Sequence, residues 1–472
     1  MIIREKHNPR SKWLPMLIMT MLLVYLFSGC AADFVGMRSR HAREFSQRLT
    51  EKSAMLVPAD GSLDMETCID IALANNLDIR IADIEGRLAG IDRNIAFSYF
   101  LPQIDVQYTY LENDKQQLHK AMESNFAMSD QDITQKVISG QLSVFNPSTW
   151  FFYNAYKKGE EIQLLVAERV RQAIRLQITA LYLACLSQEA LGKAIEASVE
   201  QAEILVREME ALYREGIILK SDLENAWLFL ASQQNRLREN IRLRTETKAE
   251  LMEAMGLSPL VDISLKGAPS LSVDDGELSK QILDAMLNRL ELKISDRYVS
   301  VREDAIKIAI ASFLPKLILF GDYTNSSNSF QYYENILSYG VSGVLTVFDG
   351  FADIQDYMAV KEEHKKAIIE REQSCIKIML EVIKARDFLD QARDLQKLTA
   401  LELDASMSNL REVHALWMEG MVTSSKKLDA AKRYATAEAN VSLANYQYQV
   451  AVATMNDVMG LSGKEETSGK TN

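Results

Sequence analysis

Residues 139–146 read SGQLSVFN, and residues 342–349 read SGVLTVFD. Upstream of these, NNLDIRIAD at 75–83 has a counterpart in NRLELKISD at 288–296. Two copies of about two hundred residues each therefore follow one another, which is a tandem duplication and not an array of short repeats. The two motifs lie farther apart in the first copy, which predicts one longer loop there.

The N-terminus has the order of a bacterial export signal. Four basic residues precede an apolar run at 13–27, and two small residues then lead to Cys30. The run is too short for a membrane-spanning helix, so a signal peptide is predicted. LFSGC at 26–30 resembles a lipobox, which implies a lipid anchor, palmitate included, on Cys30. The alternative is an ordinary signal peptide cut nearby. Ala31 after the cysteine favours an outer-membrane address.

The composition excludes several classes of function. The formal net charge is −12, whereas binding to nucleic acid requires clustered positive charge. Cys68, Cys185 and Cys375 lie far apart in apolar helical patterns, so we expect small buried residues; a Cys185–Cys375 bridge is the alternative. The sequence has no phosphate-binding loop, catalytic set or metal-ligand spacing, so we predict no enzyme, no cofactor and no metal site.

Long proline-free regions predict long helices. No proline lies between 147 and 259 or after 315, and both regions are rich in helix-forming residues. Apolar residues recur every three or four positions from Ile162 to Cys185, which indicates an amphipathic helix. A helix over residues 148–215 would be about 100 Å long. Such a helix requires coiled-coil-like packing against a partner.

A glycine interrupts each long helical region at an equivalent place. Gly216 and Gly420 each follow a glutamate and precede a short aliphatic stretch that leads to serine, Ser221 in the first copy and Ser424 and Ser425 in the second. Because glycine ends helices and serine caps them, we predict that each glycine marks the turn of a helical hairpin. The alternative is a kink within one continuous helix.

Alternating residues before each long helix predict strands. In the first copy, residues 104–110 alternate apolar with polar residues, and residues 141–145 form a less regular run. The second copy offers residues 317–320 and 341–348, and the loops within both pairs are polar. Alternation with aromatic residues suits the strands of a membrane barrel. Each copy is thus predicted to be helix, strand, loop, strand, very long helix, turn and long helix.

This order of elements resembles the TolC family of bacterial outer-membrane efflux channels over residues 63–462. The motifs that carry the resemblance are ALANN at 72–76, FLP at 100–102 and 313–315, LSVFN at 142–146, LTVFDG at 345–350, and EG at 215–216 and 419–420. It implies a mainly α fold with a membrane β-barrel part. In a TolC-like trimer, a twelve-stranded barrel with four strands per protomer stands on a long periplasmic helical tunnel. Four strands cannot close a barrel alone, and lipid does not tolerate open sheet edges, so the strand count also predicts an oligomer, which the resemblance implies is a homotrimer.

The resemblance implies a function and an organisation. We expect the outer-membrane channel of a tripartite efflux pump, which passively conducts substrates from a periplasmic adaptor and an inner-membrane transporter to the exterior. The alternatives are an outer-membrane duct for type I protein secretion and a non-conducting periplasmic coiled-coil scaffold lipoprotein. The predicted segments are a lipoprotein signal peptide (1–29), a tether (30–62), a first efflux repeat (63–262), a second repeat (263–463) and a polar tail (464–472).

The resemblance also places adaptor contacts at the two helical turns. The matching residues are Gly216, Ile217, Ile218, Leu219 and Ser221 in the first turn, and Gly420, Met421, Val422 and Thr423 in the second. Exposed aliphatic residues suit a binding surface. The alternative is that they only hold the turns together.

An aperture is expected beyond the second turn. The family narrows its tip there with carboxylates, and the matching positions are Lys426 and Asp429, so one charge is reversed. Rings of side-chain charge set the selectivity of pores. We predict that Asp222 pairs with Lys426 and holds the aperture shut; the alternative is solvated helix surface.

Overall fold

The computed structural model describes residues 34–58, 60–121, 124–267, 271–273 and 276–461. The predicted signal peptide, Cys30 and the predicted tail lie outside these residues. The helices are α1 (Phe34–Leu56), α2 (Met65–Asn75), α3 (Leu77–Ser98), α4 (Pro147–Arg214), α5 (Lys220–Ala254), α6 (Leu278–Asn288), α7 (Leu290–Ala311), α8 (Ala352–Met418) and α9 (Ser424–Val458). The strands are β1 (Ser62–Leu63), β2 (Gln103–Glu112), β3 (Leu118–Ala121), β4 (Ser124–Ala127), β5 (Asp132–Phe145), β6 (Ser264–Leu265), β7 (Lys316–Ser326) and β8 (Asn335–Val344).

Two units divide the chain, one ending at Gly61 and one starting at Ser62. Helix α1 belongs to the first unit, and both repeats belong to the second. No helix in the described ranges has a stretch both long and apolar enough to cross a membrane.

Two helical hairpins dominate the second unit. Helix α4 has 68 residues and α8 has 67, so each is about 100 Å long. Helices α5 and α9, with 35 residues each, fold back on α4 and α8. The predicted hairpins are confirmed, and the alternative of a kink within one helix is wrong.

Helix α4 changes its partners along its length. Near the strands it packs between α3 and α7, where Glu160 pairs with Arg93 at 2.6 Å and Lys158 pairs with Asp304 at 2.5 Å. Toward its other end it packs against α5 and α9. Helix α4 of the first copy therefore contacts two helices of the second copy, α7 near the strands and α9 near the turns.

The repeated segments at 75–83 and 288–296 each begin with an asparagine that contacts the end of the helical hairpin of the same copy. Asn76 separates α2 from α3, and its side-chain amide donates to the carbonyl of Ala254 at 2.8 Å. Gly256 follows in a left-handed conformation, and a Cβ there would lie 2.5 Å from the carbonyl oxygen of Asn75. The second copy repeats this close approach at Gly460. Glycine is required because the two backbones touch.

The main sheet has the order β2–β5–β7–β8, with all neighbours antiparallel. Its central pair, β5 and β7, joins the two copies. Strands β5 and β8 both begin earlier than predicted. The prediction that the last strand continues to Phe348 is wrong, because β8 is an edge strand and the ladder with its single neighbour ends at the pair Lys316–Val344.

The longer loop of the first copy contains a hairpin that was not predicted. Strands β3 and β4 pair antiparallel within it. The loop contacts the shorter loop of the second copy, since the carboxylate of Asp130 accepts from the Ser329 hydroxyl at 2.8 Å. A second unpredicted pair, between β1 and β6, is parallel and only two residues long.

The three described cysteines are free thiols. Cys68 and Cys185 are buried, as predicted, and Cys375 is half-buried. The Cys185–Cys375 bridge is therefore not formed. Burial raises the pKa of both Cys68 and Cys185 to about 12. These two thiols are packing residues with little reactive thiolate.

Candidate functional site

The main sheet has one apolar and one polar face. Residues that lie opposite each other in an antiparallel ladder share a face. The apolar face carries Ile104, Val106 and Tyr108 of β2, Ile138 and Leu142 of β5, Leu319 and Tyr323 of β7, and Leu337, Tyr339 and Val341 of β8. The other face carries Asp105, Gln107, Thr109, Gln141, Ser139, Asp322, Ser338 and Ser342, with a few apolar residues among them.

The apolar face is exposed in the protomer. Val106 on β2 and Tyr339 on β8 are 76% and 81% exposed. Strands β2 and β8 are the two edges of this sheet, and in the described part of the chain each is hydrogen-bonded along one side only. A soluble protein would have to blunt or cover such edges. The arrangement suits a sheet whose apolar face meets lipid and whose edges meet further strands.

Both hairpin turns have the same backbone geometry. Gly216 and Gly420 are left-handed, with φ of 74° and 73°. The N–H of Ile217 donates to the carbonyl of Leu212 at 2.9 Å, and Met421 makes the equivalent 2.9 Å bond in the second turn. This is the Schellman motif, in which a glycine beyond the helix satisfies the last carbonyls. The prediction that each glycine ends a helix at the turn of a hairpin is confirmed.

The predicted serine caps are wrong. Ser221 and Ser424 both lie within their helices, because α5 and α9 begin at or before them. Leu219 is the N-cap of α5, and its N–H donates to the carboxylate of Asp222 at 3.4 Å. Ser424 instead accepts a hydrogen bond from the indole of Trp417 at 3.4 Å.

The aliphatic residues of the turns divide into two groups. Ile217 and Met421 are 63% and 62% exposed, and Leu219 is exposed as well. Ile218 packs against the tip core, defined here as the buried residues Ala202, Leu205, Val206, Met209, Leu223, Ala226, Phe229 and Leu428. Val422 is half-buried, whereas Thr423 and Ser221 are exposed. The exposed surface therefore comprises fewer residues than the sequence predicts.

The aperture residues do not form the predicted pair within the protomer. Lys426 and Asp429 are exposed, and Asp222 is half-buried. Within the described ranges no ion pair joins Asp222 to Lys426. Asp222 instead accepts a hydrogen bond from the backbone N–H of Leu219.

The next residue, Lys427, forms a cluster that sequence reasoning missed. Its side chain is 9% exposed, its ammonium pairs with Glu208 of α4 at 2.6 Å, and it lies 3.5 Å from the ring centroid of Trp417 of α8. The cluster therefore joins three helices from both copies beside the tip core. No local pattern marked it, because consecutive helix residues point in different directions and the burial of Leu428 does not extend to its neighbour.

A second charged cluster lies where α7 begins. Arg289, mostly buried, pairs with Glu291 at 2.7 Å and also contacts Glu381. Arg169 of α4 links Glu291 at 2.7 Å to Asp457 of α9 at 3.3 Å. Burial opposes ionisation of Glu291, but hydrogen bonds and charge from Arg289, with help from Arg169, lower its pKa to about 2. Burial raises the pKa of Asp457. We call this set the α7 ion cluster.

A family match covers the second copy. Residues 282–461 match the family described as outer membrane efflux protein. No curated protein sequence matches the chain.

Solved structures share the fold along most of the chain. A membrane protein from Pseudomonas aeruginosa has a TM-score of 0.75 at 17% identity, covering 86% of this chain and 94% of that one. The CmeC outer membrane channel from Campylobacter jejuni has a TM-score of 0.74 at 16% identity, covering 84% and 86%. VceC from Vibrio cholerae, an outer membrane protein, has a TM-score of 0.73 at 12% identity, covering 84% and 96%.

At such identities these likenesses show the fold, and the predicted TolC-like, mainly α fold class is confirmed. The second copy thus matches the outer membrane efflux protein family, and the chain shares the fold of solved outer membrane channels along most of its length.

Proposed function

We propose that this chain is the outer-membrane channel of a tripartite efflux pump and conducts substrates passively from the periplasm to the exterior. The observation that carries the proposal is the two-faced sheet with unpaired edges, joined to helical hairpins about 100 Å long. An apolar outer face suits lipid, and a polar inner face suits a water-filled pore. The exposed Trp150, 4.9 Å from Phe100 between ring centroids, lies where the sheet meets α4 and would sit at the membrane interface.

The channel would be a homotrimer with a twelve-stranded barrel. Edge strands β2 and β8 of neighbouring protomers would pair, so that no edge faces lipid. Helix α3 also supports association, because it carries an exposed apolar stripe at heptad spacing, formed by Leu77, Ile81, Ile84, Leu88, Ile91 and Ile95. Such a stripe is typical of a coiled-coil seam, and no helix among the described residues covers it.

The partners would be a periplasmic adaptor and an inner-membrane transporter. Ile217, Leu219 and Met421, exposed at the two turns, offer the adaptor an apolar surface. Lipidation at Cys30 would anchor the N-terminus in the outer membrane, with most of the chain in the periplasm. The two efflux repeats would run over 63–262 and 263–463.

Single-channel recording tests the conduit. We expect the purified protein to migrate as a heat-resistant trimer and to give discrete conductance steps in a planar bilayer. A trimer without conductance would support the scaffold alternative. Deleting the gene should lower tolerance to small toxic compounds; a loss of protein export with unchanged tolerance would instead support a type I secretion duct.

Lys426 and Asp429 would line the aperture. A ring of exposed lysines repels cations, so Lys426→Asp should shift the pore toward cation selectivity. The measurement is the reversal potential across a salt gradient, with Lys220→Asp, an exposed lysine of the first turn, as the matched control. If the reversal potential does not change, Lys426 does not line the aperture.

A further inference from the structure

A recess lies where the main sheet joins the long helices. Its volume is about 340 Å³, within the range of small-molecule sites, which begins near 300 Å³. Gln103, Gln141 and Ile318, which lie on the polar face of the sheet, form one wall. Tyr99 at the end of α3 and Phe152 in α4 form another wall. In the proposed channel the recess therefore opens into the pore.

The recess is uncharged. None of the described residues that line it is acidic or basic, although 25% of the chain is charged. Its polar groups are amides and hydroxyls, including those of Ser143 and Thr149. A charged molecule entering the recess would lose hydration without gaining an opposite charge, whereas a neutral polar molecule could exchange hydrogen bonds.

Two pairs of side chains that line the recess contact each other, one polar pair and one aromatic pair. The amide of Gln141 donates to the side-chain oxygen of Gln103 at 2.9 Å. Each glutamine amide has two donors and one acceptor oxygen, so this pair retains both kinds of group for a ligand. The rings of Tyr99 and Phe152 meet edge to face at 5.7 Å, which presents a rigid aromatic wall.

We propose that this recess is a binding subsite in the pore wall for uncharged aromatic molecules that carry hydroxyl or amide groups. The aromatic part packs against Phe152 and Tyr99, and the polar part exchanges hydrogen bonds with Gln103, Gln141 and Ser143. The inference rests on the proposed channel function, because that function brings transported molecules past the recess. It adds a preference for neutral cargo that a wide polar pore alone does not impose.

The test compares matched ligands on the trimer in lipid nanodiscs. The neutral probe is 4-nitrophenyl glucoside, and the anionic probe is 4-nitrophenyl phosphate; apparent Kd values come from saturation-transfer NMR. We expect the glucoside to bind and the phosphate to bind at least tenfold more weakly. Phe152→Ala should weaken glucoside binding about tenfold through loss of ring packing. Tyr332→Ala, a 90% exposed aromatic residue in a strand-connecting loop, is the control and should leave it unchanged.

A second variant keeps the test valid if Phe152→Ala perturbs folding. Ser143→Asp places a carboxylate in the recess, so it should weaken glucoside binding and admit (4-nitrobenzyl)trimethylammonium. Equal binding of glucoside and phosphate by the wild-type protein, or unchanged glucoside binding in Ser143→Asp, would overturn the subsite. Conductance is recorded on the same preparations. A trimer that conducts but binds neither probe would contradict the proposed subsite alone, whereas a trimer that does not conduct would contradict the proposed channel function.

Discussion

Lys427 carries a buried positive charge whose partners come from two other helices. Replacing Glu208 by alanine leaves that ammonium in a site where its side chain is only 9% exposed. Loss of a hydrogen bond to a buried charged group costs about 2 kcal/mol. We therefore expect Glu208→Ala to lower Tm, measured by circular dichroism, and the double variant Glu208→Ala/Lys427→Met to recover part of the loss.

The neighbouring lysine supplies the control for this prediction. Lys426 is exposed, so Lys426→Met should leave Tm nearly unchanged, as surface substitutions usually do. If Glu208→Ala is as mild as Lys426→Met, the Lys427 cluster contributes nothing to holding the two copies together.

The α7 ion cluster predicts a dependence of stability on pH. Glu291 has a pKa of about 2 in the folded protein against 4.5 ordinarily, so its contribution is fully present above pH 4.5 and is lost as pH falls toward 2. Asp457, with a raised pKa, acts in the opposite direction and offsets part of this loss. We expect Glu291→Gln to lower Tm at pH 7 and to flatten its fall between pH 4.5 and 2.

An exposed glutamate shows whether this pH effect is specific. Glu246 pairs with Arg242 on the surface of α5, where both side chains are more than half exposed. Exposed pairs contribute less than about 1 kcal/mol. Glu246→Gln should therefore keep the wild-type pH profile, and a profile flattened as strongly as that of Glu291→Gln would contradict our assignment.

The helical elements depend on glycines in two different ways. At Gly216 a Cβ would meet no atom within 4 Å. Gly216→Ala should therefore lower the free energy of unfolding only by the strain of a left-handed alanine, about 1–2 kcal/mol. At Gly256 the Cβ would also press on the Asn75 carbonyl, so Gly256→Ala should cost more. Gly159 lies in the interior of α4 with free space around it, so Gly159→Ala should raise the free energy of unfolding by about 0.5–1 kcal/mol. Urea unfolding checks this order, and equal losses at Gly216 and Gly256 would refute the close contact.

The long elements could be predicted from the sequence, because periodicity and the absence of proline extend over many turns. Helix α4 begins and ends one residue before its predicted bounds. The strand ends could not be predicted, since residues 345–348 have strand-like composition but no partner across the ladder. The similar composition at 142–145 does pair, because Leu142, Ser143 and Phe145 lie opposite residues 317–319 of β7.

The candidate site was less predictable, because its contacts join residues far apart in the chain. The turn glycines are recognisable locally, through their effect on the helix end. Which aliphatic residues of a turn remain exposed depends on the tip core, to which three helices contribute, α4, α5 and α9. The pairing of Lys427 with Glu208 depends on the packing of α9 against α4, which no local pattern reports.

In the molecule as a whole, the exposed apolar stripe of α3 is a surface that the proposed trimer would cover. Leu88 lies in the middle of the heptad stripe of α3 and is 53% exposed in the protomer. An aspartate there would be harmless in a monomer, because water would solvate it. In a trimer the same aspartate would be buried against a neighbouring helix, where an unpaired charge costs several kcal/mol.

Leu88→Asp therefore tests the trimer directly. We expect the heat-resistant trimer to be lost on gel electrophoresis and the mass in light scattering to fall by a factor of about three, because a charge in a coiled-coil seam opposes association. Leu260→Asp is the matched control, since Leu260 is 92% exposed in the connection between α5 and β6. If both variants remain trimeric, the α3 stripe is not buried between protomers, and the unpaired edges of β2 and β8 would have to hold the assembly alone.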